Sequence, residues 1–69
     1  MTNPNDHLAL AERHVREGEQ RVAAQQDLIE KIALDGHDTK DAEKFLETLM
    51  QTLALMRQHL QIERTYKVD

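Results

Sequence analysis

The chain has 69 residues, 13 acidic against 9 basic side chains for a formal net charge of -4, 39% hydrophobic residues, and neither Cys nor Trp. Such a chain forms at most one domain, and with no thiol it can add neither a disulfide nor a thiolate metal site to a small core. The acidic balance disfavours a protein that coats nucleic acid, and no apolar run approaches the roughly 18 residues that suggest a membrane span.

At the start, Met1-Thr2-Asn3-Pro4-Asn5-Asp6 has neither the basic nor the apolar region of an export signal, so the expected location is the cytoplasm. Asn3 before Pro4 fits an N-cap followed by proline in the first turn, and Asn5 or Asp6 would serve as well. From Leu8 to Ile32 a seven-residue rhythm runs unbroken. Leu8, Val15, Val22 and Ile29 hold one position and Ala11, Gly18, Gln25 and Ile32 the other. The second set is mostly small or polar, which lets a partner helix come close. Glu12, Arg13, Arg16, Glu19, Glu30 and Lys31 form a solvated face.

Leu34-Asp35-Gly36-His37-Asp38-Thr39 reads as a stop followed by a start. Gly36 can take the left-handed conformation that closes a helix, and Asp38 or Thr39 can cap the next one. Asp41 and Glu43 suit its positive end. A second amphipathic run follows in Ala42, Phe45, Leu46, Leu49, Leu53, Met56 and Leu60, with Met50 at its edge. Neither run alternates with the period of a strand. The predicted fold is all-α and forms a single domain: a helix over about 4–34, a turn over about 35–38 and a helix over about 39–65. So short a connection makes the helices antiparallel. Leu8 should then lie level with Thr65, Val15 with Gln58, Val22 with Gln51 and Ile29 with Lys44. Glu12, Arg16 and Glu19 share a flank with Arg57 and Arg64, where exposed ion pairs favour register at about 0–1 kcal/mol each.

On the other flank, Leu10, Leu28 and Ile32 sit to one side of the first stripe, and Leu55, Ile62 and Tyr66 lie off the second. In an antiparallel pair these sets come to the same side. A lone hairpin would show that strip to water, so two copies are expected to pair through it as a homodimeric four-helix bundle.

Of the four histidines, His14 and His59 stand at one height on this flank, with Glu17 and Glu63 one turn away. Such a set could bind zinc or respond to pH, because paired imidazoles repel once protonated, below about pH 6. No E-x-x-H or H-E-x-x-H element supports a metal site, and the simpler expectation is no metal and no cofactor. His37 reads as a polar turn residue. The chain has no Cys or Ser nucleophile and no glycine-rich phosphate loop, and a hairpin lacks an enclosing cleft, so no enzyme is expected. Arg13, Arg16 and Arg21 are interrupted by Glu12, Glu17 and Glu19, which makes nucleic acid an unlikely partner.

Two stretches carry a resemblance. They are Ala11-Glu12-Arg13-His14-Val15 with Glu17-Gly18-Glu19 and Arg21-Val22, and Asp35-Gly36-His37-Asp38-Thr39 with Ala42-Glu43. With Thr52-Leu53-Ala54-Leu55-Met56 and His59, the chain resembles small uncharacterised α-helical hairpin proteins of alphaproteobacteria, rhizobial relatives especially. The resemblance implies a bacterial origin and the hairpin fold, and brings no site residue with it. The residues and the hairpin they predict, rather than the resemblance, lead to a non-enzymatic protein–protein interaction or regulatory module. Its expected partner is a second copy or another protein.

Overall fold

The computed structural model describes residues 4–66, and describes side-chain surroundings from Asp6 to Thr65. The capping role expected of Asn3 and the side chain of Tyr66 lie outside those residues. Two helices, α1 (Pro4–Leu34) and α2 (Lys40–Tyr66), pack against each other as a hairpin. The result is long and thin, 54 × 16 × 16 Å.

The turn follows from the sequence. Gly36 has φ +79°, a left-handed value that costs a residue without a Cβ nothing. Its N–H donates to the Ala33 carbonyl and that of His37 to the Ile32 carbonyl, each at 3.0 Å. This pair of bonds is the Schellman closure, and it satisfies carbonyls that the end of α1 would otherwise leave unpaired. Asp38 and Thr39 then share the start of α2, Asp38 by its side chain and Thr39 by its carbonyl. Asp38 Oδ1 accepts from the Lys40 N–H at 2.9 Å, and the Thr39 carbonyl accepts from the Glu43 N–H at 2.8 Å. The Thr39 hydroxyl also donates to the Glu43 carboxylate. Thr39 therefore holds the N-cap position, and the helix proper begins at Lys40.

The seam between the helices is built on small residues. Ala11, Val15, Leu53 and Leu60 are buried, with Leu8, Val22 and Met56 packed against them. Gly18 is buried as well. A Cβ on Gly18 would stand 3.0 Å from Leu53 Cδ1 and 3.3 Å from Met56 Sδ, so the missing side chain is what lets α2 approach. Gln25, half-buried in the same seam, donates from Nε2 to the Ala42 carbonyl at 2.9 Å. That polar side chain is satisfied across the helices rather than left in an apolar seam.

One expectation needs correction. Phe45 is 54% exposed and lies outside the core, and Met50, expected at the edge of the run, is 51% exposed. The core rhythm of α2 runs Ala42, Leu46, Leu49, Leu53, Met56, Leu60 and Glu63, all buried or half-buried. Phe45 precedes Leu46 by one residue and Met50 follows Leu49 by one. At about 100° per residue each is turned well off the seam, in opposite senses.

Replacing Gly18 with leucine tests the close approach. Helix propensity alone favours leucine by nearly 1 kcal/mol. Forcing its bulk against Leu53 and Met56 should nonetheless destabilise the protein by about 1–3 kcal/mol. A thermal melt followed by circular dichroism should therefore show a lower Tm for Gly18→Leu. An unchanged or higher Tm would mean the helices are not held together at this point.

Candidate interaction surface

The seam leaves each helix with two flanks, and the hairpin brings like flanks together. One is polar and zipped by cross-helix ion pairs. Arg57 Nη2 lies 3.1 Å from Glu19 Oε2, and Arg64 Nη2 lies 4.0 Å from Glu12 Oε2. These side chains are about half exposed, so the pairs define register more than they add stability. Both pairs fall on the flank where the sequence places Glu12 and Glu19 beside Arg57 and Arg64.

The opposite flank is mostly apolar, with Glu17 and Arg21 at its mid-height on α1. Among the large hydrophobic side chains most open to water are Leu10 (45%), Leu28 (47%), Leu55 (65%) and Ile62 (47%), all placed here by helical periodicity. Ile32 behaves differently. It is half-buried and continues the seam, one step beyond Ile29. Phe45 joins the flank at the height of Leu28, a placement that reading it as core conceals. The signal for it was available in α2. Phe45, Thr48, Thr52, Leu55, His59 and Ile62 repeat at alternating spacings of three and four. This is a second stripe beside the core one, with no Asp, Glu, Lys or Arg in it.

The sequence-predicted histidines also meet on this flank. His14, Ala11, Thr52, Leu55, Met56 and His59 line one shallow depression of about 230 Å³. Of the two carboxylates named with them, Glu63 reaches His59 and Glu17 turns to Arg13. Glu63 Oε1 lies 3.5 Å from His59 Nε2, whereas Glu17 Oε2 lies 3.8 Å from Arg13 Nε. Among the described residues, no three His, Asp or Glu side chains gather as a metal site would require. None of the described helices is long and apolar enough to cross a membrane.

Comparison with protein families, curated proteins and solved structures finds no match to this chain. The residues themselves therefore carry the functional reading. A Leu-rich flank with two imidazoles in a shallow depression, set opposite a salt-bridged flank, can dock an apolar surface.

Two imidazoles with no third converging donor bind zinc weakly. Added zinc should therefore leave the melting temperature unchanged. A rise that His14→Ala removes would establish a site by mass action and contradict this reading.

Proposed function

We propose that the protein is a non-enzymatic, cytoplasmic interaction module that works as a homodimer. Two hairpins would join through the Leu10, Leu28, Leu55 and Ile62 flank into a four-helix bundle, whose outer faces engage another protein. The apolar flank carries this reading, because it is aligned along both helices rather than scattered.

The amount of exposed surface supports it. A compact chain of 69 residues has a radius of gyration of about 11 Å, whereas the hairpin's is 16.0 Å. At 8.0 kDa an ordinary monomer exposes about 4,500 Å², and this chain exposes 5619 Å². The excess, about 1,100 Å², is comparable with the roughly 800 Å² that each partner contributes to a standard interface.

A second reading rests on a different observation, the shared depression of His14 and His59. A pH-responsive or metal-responsive module would use those imidazoles, with Glu17 and Glu63 near them. The scarcity of converging donors favours the first reading.

Sedimentation equilibrium tests the proposal. The protein should sediment as a dimer at about 100 µM, and Leu55→Glu should shift it to monomer by placing a charge in the apolar contact. Glu47→Gln, away from this flank, should leave the dimer intact. A monomeric parent protein would contradict the proposal, as would a dimer indifferent to Leu55→Glu.

A further inference from the structure

We infer that the dimer is end-swapped: a twofold axis perpendicular to the helices sets α1 against α1 of the second copy and α2 against α2, with the turn of one hairpin beside the open end of the other. This rests on the homodimer reading and goes beyond it by fixing the arrangement. The occupant of the apolar flank is a second copy of this chain, and the order of residues along the flank shows how it would lie.

On α1 the flank carries Leu10, His14, Glu17, Arg21, Ala24 and Leu28, again at alternating spacings of four and three. The set is self-complementary about the point midway between Glu17 and Arg21. Reversing the partner helix there places Leu10 against Leu28, His14 against Ala24, and Glu17 against Arg21, each twice. The α2 stripe is symmetric about the point midway between Thr52 and Leu55. Reversal there places Phe45 against Ile62, Thr48 against His59, and Leu55, close to the axis, against Thr52.

One axis can satisfy both helices only if the two centres stand at the same height. They do, because Gly18 packs directly on Leu53 and Met56. The centre of α1, just beyond Gly18, is thus level with the centre of α2. Four of the five exposed large apolar side chains on this flank find apolar partners, Leu55 meets Thr52 beside the axis, and the flank's two full charges at mid-height face opposite charges.

The other twofold arrangement keeps like ends together and sets α1 against α2 of the second copy. It would bring Leu28 to Phe45, His14 to His59 and Arg21 to Thr52. It would also press the Glu17 carboxylate onto Leu55, burying a charge against hydrocarbon with no opposite charge from the partner. Charge complementarity selects the end-swapped form.

Cross-linking of cysteine variants tests this cleanly, since the chain has no cysteine of its own. Copies carrying Leu10→Cys are mixed with copies carrying Leu28→Cys and treated with a short bis-maleimide. In a second mixture Leu28→Cys meets Phe45→Cys. The end-swapped dimer should yield abundant mixed conjugate in the first mixture and little in the second. If like ends pair, positions 10 and 28 of different copies are at least about 27 Å apart along the helix axis, and only the second mixture reacts. That result would overturn the end-swapped arrangement while leaving the homodimer standing. No conjugate in either mixture, with a monomer mass on sedimentation of each variant and of the parent protein, would overturn both.

Discussion

The hairpin depends on how closely its two helices can approach at one short stretch, where Ala11 and Gly18 of α1 meet Leu53, Met56 and Leu60 of α2. A single seam between two helices has little apolar surface to set against the ordering of a 69-residue chain. Small residues on one side make that seam tight, and tight packing is what an interface this narrow requires. The same close approach fixes relative height, so it also decides which residues stand beside one another on the exposed flanks.

The turn and the ion pairs reinforce that register from either end. The closure at Gly36 and the cap at Thr39 allow little slack between helices. The Glu19–Arg57 pair lies near mid-height and the Glu12–Arg64 pair toward the open end. With one flank given largely to charge pairs, most of the apolar surplus falls on the other, Met50 and Leu34 being exceptions. Burial is greatest toward the open end, where Ala11, Val15, Leu53 and Leu60 lie, whereas Ile29, Ile32, Leu46 and Leu49 nearer the turn are only half-buried. A core this incomplete accords with a protein that gains further burial by association.

Most of the fold was legible in the sequence because its signals are local. Gly36 between a helical run and an Asp-Thr pair announces a turn, and the heptad of Leu8, Val15, Val22 and Ile29 announces a seam. Phe45 and Met50 were not legible as exposed residues. An amphipathic run with apolar residues at adjacent positions, such as Phe45-Leu46 and Leu49-Met50, does not state which of each pair faces the partner. Only the completed packing resolves that choice, with Leu46 and Leu49 turned inward. The candidate surface was readable in part, since Leu10, Leu28, Leu55 and Ile62 stand out by their offset from the core rhythm. Ile32 did not separate from the seam, because residues near the boundary between two faces differ from core positions by less than the tolerance of a helical wheel.

The central claim is that folding of the hairpin is coupled to its association through the apolar flank. The most direct test is the melting temperature measured across a wide range of protein concentration. Coupled folding and dimerisation predicts a Tm that rises steadily with concentration, as mass action requires when the folded form is a dimer and the unfolded form a monomer. A cooperative melt whose midpoint is the same at every concentration, from a well-folded monomer, would contradict it.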